Sequence, residues 1–427
     1  MSSKIKRALP ELVENGIITE EIAQNINNYY ETTSESNPNR LFIIFGILGA
    51  TLVGLGIILI MAHNWDDFPK SIKLALAFAP MLIGQFILGY SIVKGKSMVW
   101  KEAATAFLFF AVGGCIAIVS QVYHVSGDIE SYLLAWVVLC TPLLYVTKSR
   151  AAIILHLIFC TYFAVEANFT FRGTTIPQIY FILLAVSIPR YIEMLKSKIP
   201  SASLYMLHWM FPLSLIISLP TCIESNFEIG SLLYILLFGV FYNIGQLPYF
   251  KDKSLLQNSY SFFGSLGTVI TLLIMSFKDP WRFIINHNLI FFSEFISIAI
   301  LFISACILLY LNNKQQKIRG SHLFQYTFLI FGAIFLIGQT NPMLAPIFVN
   351  ILLLILGLVT IKIGTDKLHF GLLNYGLLII AAVITFRFYD TDISFALRGI
   401  IFLLLSIGFF VANYTMFKKQ NAKKIQP

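Results

Sequence analysis

Charge is what this chain has least of. Of its 427 residues 12% are Asp, Glu, Lys or Arg, against 57% hydrophobic, and the mean hydropathy is +0.79. A soluble domain carries about 25% charged residues, so a soluble enzyme, a nucleic-acid module and a disordered chain are excluded together. Cysteine is sparse as well: Cys115, Cys140, Cys160, Cys222 and Cys306 are odd in number, scattered and mostly set in apolar runs. Without a C-x-x-C they make neither a disulfide frame nor a zinc site, and they read as packing residues. No P-loop, G-x-S-x-G or H-E-x-x-H stands out. The first 40 residues are polar and lack a short apolar core with a small-residue cleavage site, so no removable signal peptide is expected.

What fills the chain is long apolar runs. Crossing the hydrocarbon core takes about 20 mostly apolar residues. Runs that meet this lie near 41–62, 71–93, 102–122, 131–147, 151–168, 175–194, 204–221, 230–247, 258–277, 289–311, 322–339, 343–361, 371–387 and 395–416, fourteen in all. A break at Thr340-Asn341-Pro342 leaves twelve or thirteen open, because it also suits a kink within one hairpin. Aromatic residues make up 15%, with 39 Phe, as lipid-facing surfaces and interfacial belts require. The expected fold is an all-α polytopic transmembrane helical bundle.

The basic residues orient it. With the N-terminus in the cytoplasm, 23 of the 30 Lys and Arg fall on the cytoplasmic side and seven outside, alternating connection after connection. Cytoplasmic loops are enriched in Lys and Arg, and one missed span would invert every loop beyond it. Fourteen spans with both ends inside are therefore expected. Acidic residues divide ten inside and eleven outside, so the net charge of +9 is topological and no nucleic-acid partner is implied. The bilayer is the expected partner, and the basic tail 418–427 suits anionic lipid at about 1 kcal/mol per well-placed charge.

Residues 1–38 read as a cytoplasmic amphipathic helical hairpin. Leu9, Leu12 and Val13 share a face, Asn15-Gly16 supplies a stop, Thr19 is a helix N-cap, and Ile22, Ile26 and Tyr29 continue the stripe. Such a hairpin docks on its own loops or the bilayer surface, or on a cytoplasmic protein partner. Ser34 to Asn39 is a polar hinge, and 39–417 form the bundle, divisible into seven-helix halves near 39–221 and 230–417. Gly46/Ala50 and Ala50/Gly54 in the first span, Gly113-Gly114 and Gly264/Gly267 are small-residue sites for close helix approach.

Polar residues concentrate at two outer ends. The first span ends in His63-Asn64-Trp65-Asp66-Asp67-Phe68-Pro69, and the third in Gln121-Val122-Tyr123-His124-Val125-Ser126-Gly127-Asp128. Each holds an H-x-x-x-D, whose His and Asp meet if the stretch stays helical. His63, Asn64, Asp66, Asp67, Gln121, Tyr123, His124 and Asp128 form the candidate outer-face site, suited to a polar head group, a proton relay or, as a lesser option, a divalent metal. No other cofactor is expected. The ordinary alternative is that Asp67 and Asp128 favour the positive starts of the following helices, with Trp65 and Tyr123 as interfacial anchors.

The segments "ELVENGIITEEIAQNINNYY", "MAHNWDDFPKSIKLALAFAPMLIGQ" and "SQVYHVSGD", in that order around a glycine-rich first span, resemble the bacterial membrane-protein family DUF2157 over about the first 160 residues. The resemblance implies a multi-span inner-membrane protein, with His63, Asn64, Trp65, Asp66, Asp67, Tyr123, His124, Gly127 and Asp128 as matching positions; it implies no particular activity.

Inside the spans, Glu166 and Glu294 are candidate functional acids, because a carboxylate is costly to bury. His156 and His208 read as hydrogen-bonded packing residues, and Gln85, Asn243 and Gln246 as interhelical glue. Local ion pairing is expected where Arg387 and Arg398 flank Asp390 and Asp392. Three functions compete. Short loops, an odd number of helices per half and Pro80, Pro142 and Pro212 interrupting spans favour a transporter or a handler of lipid and envelope precursors. Asp66 and Asp67 after the first span resemble lipid-phosphate glycosyltransferases, whose first outer loop is usually longer. A sensor or assembly factor would use the hairpin as its reporter.

Overall fold

A computed structural model describes residues 9–33, 65–169, 177–196, 202–223, 227–251, 253, 257–282, 292–315, 323–390 and 394–425. The run 41–62 with Gly46, Ala50 and Gly54, the hinge Ser34 to Asn39, His63, Asn64 and Asp392 lie outside these residues. Among the described residues every regular element is helical. The chain divides into two compact units, Met1–Ala75 and Leu76–Pro427.

In the first unit, residues 9–14 are helical and stop at Gly16, where φ is +65°. The Gly16 amide bonds the Val13 carbonyl at 3.0 Å and the Ile17 amide reaches back to Leu12 at 3.0 Å, the paired bonds of a glycine C-cap. Thr19 then caps α1 (Glu20–Thr33), its hydroxyl accepting from the Ile22 amide at 3.4 Å. Leu9 is buried, Leu12, Val13 and Ile26 are half-buried, and Ile22 is exposed. A turn at residues 65–68 leads into α2 (Lys70–Val93), which continues into the second unit.

The second unit runs on through α3 (Met98–Val122), α4 (Ile129–Cys140), the single turn α5 (Leu143–Val146), α6 (Arg150–Phe169), α7 (Ile179–Lys196) and α8 (Ala202–Ser218). After a 3-10 turn at Leu219–Cys222 come α9 (Phe227–Gly245), α10 (Ser259–Met275), the turn α11 (Asp279–Arg282), α12 (Phe292–Gln315) and a second 3-10 turn at Leu323–Gln325. The last four are α13 (Thr327–Thr340), α14 (Ala345–Asp366), α15 (Phe370–Asp390) and α16 (Phe395–Ile425). Each apolar run from 71–93 onward falls on helix. Nine helical stretches among the described residues are long and apolar enough to cross a membrane. The α9, α10 and α13 stretches are apolar but shorter, and α7 carries Arg190, Glu193 and Lys196 in its last turns. Thr340-Asn341-Pro342 separates two helices, with Asn341 extended at φ −143° and its side chain accepting from the Met343 amide.

Proline acts differently from expectation. Pro80 and Pro212 lie within continuous helices, as does Pro189; of the three residues expected to interrupt spans, Pro142 alone separates two helices, α4 and α5. In an apolar setting neighbouring helices and local adjustment satisfy the carbonyl a proline frees, so one ring need not break a span.

The core forms two main clusters. One joins α3 to α8 around Phe109, Trp136, Phe163 and Tyr180; the other runs from Leu219 to Val383, centred on α9, and half-buried Leu195 and Leu215 touch both. Small residues set the tightest approaches. A Cβ on Gly113 would lie 2.2 Å from the Trp136 ring, whose indole N–H donates to the Phe109 carbonyl at 2.7 Å; Gly114 faces open space. A Cβ on Gly264 would lie 2.5 Å from the backbone nitrogen of Tyr242 on α9. Asn243 donates to the Gln325 carbonyl and accepts from Asn312, tying α9 to α12 and the second 3-10 turn as expected of interhelical glue. By contrast α16 leaves Phe395, Leu403, Phe410 and Tyr414 exposed, as a lipid-facing helix would.

Candidate functional site

The outer-face residues are exposed where they are described. Asp66 and Asp67 occupy the turn before α2, where Lys73 lies over the Trp65 ring at 5.3 Å. His63 and Asn64 are outside the described residues. In the second unit Gln121 is exposed on the last turn of α3, and Tyr123, His124 and Asp128 are exposed on the connection that follows. Helix α3 ends at Val122 and α4 starts at Ile129, so His124 and Asp128 do not sit one helical turn apart. Asp128 has extended backbone at the start of α4 and makes no side-chain cap bond.

His124 stands at a position that favours glycine. Its φ is +52°, with its amide bonding the Gln121 carbonyl and the Val125 amide bonding Ser120 at 2.9 Å. This is the same C-cap that Gly16 makes, and that Gly95 makes after α2 with φ +60°. The left-handed backbone costs a non-glycine residue about 1 kcal/mol. Leu368, between α14 and α15, has φ +51° at an equivalent cap, so such a conformation does not by itself mark a site.

The buried acids differ from those the sequence singles out in one respect. Glu294 is completely buried in the first turn of α12, and Glu166 is half-buried on α6 one turn from Tyr162. Glu130, two residues beyond Asp128, is only 1% exposed. It shares a helical face with Leu133 and Val137, both in the core, so the 3.6-residue period carried the signal. His156 bonds the Leu183 carbonyl at 2.9 Å and His208 the Tyr191 hydroxyl at 2.6 Å, consistent with packing roles. Arg387 donates to Ser276 and lies over the Phe277 ring, while Arg398 lies over Phe395. No cluster of three metal-ligating side chains occurs among the described residues.

The second unit also contains a cavity of about 990 Å³ between α9, α10, α14, α15 and α16. Its walls include the aromatic and aliphatic side chains of Phe262, Leu266, Phe324, Leu378 and Phe409. A polar stripe on α10, Asn258, Ser261 and Ser265, faces it at i, i+3 and i+7, and Gln246 and Asn374 add amides. At its exposed end stand Lys251 and Lys253 from the connection after α9, and Lys367 and His369 from the α14–α15 turn. None of the described lining residues is acidic. The His369 Nδ1 accepts from the Leu372 amide at 3.2 Å, which assigns the proton of the neutral ring to Nε2. In the sequence the lysines count only toward sidedness and His369 stands in no pattern; the serine stripe in an otherwise apolar helix is the available clue.

All-helical architecture with nine stretches able to span a bilayer defines a multi-span membrane protein. Residues 10–153 match the family model described as "Predicted membrane protein (DUF2157)". That match takes in the head, both outer polar stretches and the first turn of α6, whereas the cavity lies entirely outside it. No curated protein and no solved structure matches the chain.

Proposed function

We propose that the protein transports or otherwise handles lipid or a lipid-linked envelope precursor in the bacterial inner membrane, through fourteen spans with both termini cytoplasmic. The cavity carries this reading. Its volume of about 990 Å³ is at the upper end for a small-molecule site, and it combines apolar walls with a polar stripe and a cationic end, as an amphiphile requires. It favours transport over outer-face catalysis, because it lies among helices and away from the candidate outer-face residues. The alternation of basic connections supports the sidedness, and it puts Lys251, Lys253, Lys367 and His369 at the cytoplasmic end.

Within this reading His63, Asn64, Asp66, Asp67, Gln121, Tyr123, His124 and Asp128 serve as a polar station at the outer face, with a divalent ion as an optional occupant. Glu166 and Glu294 are the intramembrane acids to probe first, and residues 1–38 the contact for a cytoplasmic partner. Reconstitution tests the function directly. In liposomes carrying a head-labelled fluorescent phospholipid, with and without a proton gradient, the protein is expected to expose inner-leaflet label to an impermeant quencher. Quenching confined to the outer leaflet under both conditions would reject lipid movement.

A further inference from the structure

We infer that the cavity takes the phosphoryl headgroup of an anionic amphiphile at its lysine-lined end, with the apolar tail against its aromatic wall. The amphiphile part rests on the lipid-handling reading; the preference for an anion rests on the cations alone. Lys251, Lys253 and Lys367 from two connections line the same cavity, and none of its described lining residues is acidic. Among the described residues ion pairing involves Lys148, Arg190 and Glu193, leaving the cavity lysines out of any such pair. Lys253 is steadied over the Tyr249 ring at 3.4 Å, an aromatic contact that keeps its positive charge available. His369, with Nδ1 engaged by its own helix start, presents an Nε2–H donor beside them.

Ammonium groups and N–H donors around an opening, with no carboxylate among its described lining residues, fit phosphoryl oxygens. Buried Tyr242 and Phe324, stacked at 5.3 Å between ring centroids, give the inner end a surface for a hydrocarbon chain rather than for water. A neutral zwitterionic headgroup would bring its own cation against three lysines, so net-anionic headgroups are preferred.

Native mass spectrometry of the purified full-length protein, offered equal phosphatidylglycerol and phosphatidylcholine, reads this preference. The wild type is expected to retain the anionic lipid selectively. Each well-placed lysine is worth about fivefold, so K251Q/K253Q/K367Q together should weaken anionic-lipid retention by about a hundredfold. K94Q/K96Q, which removes exposed charge from the turn between α2 and α3 outside the cavity lining, should leave it unchanged. Ser265→Phe should reduce retention by filling the cavity from its α10 wall, and correct folding of the lysine variant keeps the test decisive if the Phe variant fails to fold.

Competition separates the sources of the phosphoryl group. Failure of glycerol 3-phosphate and inorganic phosphate to displace the lipid supports an amphiphile; displacement at concentrations equal to the lipid's would overturn it in favour of a soluble organophosphate. Equal retention of both lipids, or the same loss in K94Q/K96Q, would overturn the inference even if lipid movement is observed. Selective retention without lipid movement would instead reject the transport reading and leave this site standing.

Discussion

Gly264→Val is expected to destabilise the protein by about 3 kcal/mol, the upper part of the usual range for overpacking. The cause is backbone contact. A Cβ at this position on α10 would lie 2.5 Å from the Tyr242 nitrogen and 2.7 Å from its Cα. No rotamer change relieves a clash with main chain, so the two helices must separate. They are α9 and α10, and α9 is the centre of the larger core, with Leu233, Ile235, Leu236 and Phe241 all nearly inaccessible. Displacing it would disturb packing on α12 and α13 as well. The comparison is Gly114→Ala on α3, where no atom lies within 4 Å of the added carbon. Thermal unfolding in detergent should show a clear fall for the first and little change for the second. Equal tolerance of the two would mean that α9 and α10 do not meet at Gly264.

Glu102→Ala is expected to cost about 3 kcal/mol, for a different reason. From α3, its carboxylate accepts from the Ser149 hydroxyl at 2.5 Å, the Arg150 amide at 2.8 Å and the Ala151 amide at 2.7 Å. The last two are unsatisfied donors of the first turn of α6, where a negative charge also complements the helix dipole. Alanine strands these donors and unties α3 from α6. Glu102→Gln, which keeps one acceptor oxygen but loses the charge, should fall between. Glu193→Gln is the control: Glu193 and Lys148 are open to solvent although Arg190 is only 10% exposed, and a pair whose carboxylate is hydrated is worth about 0–1 kcal/mol. A loss at Glu193 as large as at Glu102 would contradict the assignment of the α3–α6 tie to the carboxylate.

These two residues show what the sequence makes legible. Gly264 and Gly267 announce close approach by spacing alone, because only small residues let helix backbones meet. The hairpin stop at Gly16 and the cap at Thr19 are equally local, and both appear in the structure with their bonds. Glu102 is different: its partners lie 47 to 49 residues away, and no local pattern identifies them. The proline expectation fails at Pro80 and Pro212 because helix continuity in a bundle is set by neighbours, not by one missing amide.

The candidate site divides along the same line. Composition and order mark the stretch Gln121 to Asp128, and the structure ends the helix at Val122 and leaves Tyr123 to Asp128 as an exposed connection. Glu130, like Asp128, reads from sequence as an acid favouring the positive start of the fourth span, while its place on the Leu133–Val137 face buries it. The cavity brings together residues from 242 to 409 in the chain. Its assembly depends on how five helices pack, which hydropathy does not encode.

Sidedness is the claim on which the cavity's direction depends, and cysteine accessibility measures it directly. Four native cysteines are buried and Cys306 is partly so, which keeps background labelling low. Lys96→Cys, on the turn between α2 and α3, and Ser126→Cys, on the connection between α3 and α4, both replace exposed residues. With an impermeant maleimide on intact spheroplasts, Ser126→Cys should label at once and Lys96→Cys only after permeabilisation. Labelling of Lys96→Cys from outside, with Ser126→Cys protected, would turn the lysine-lined opening to the exterior and contradict the account.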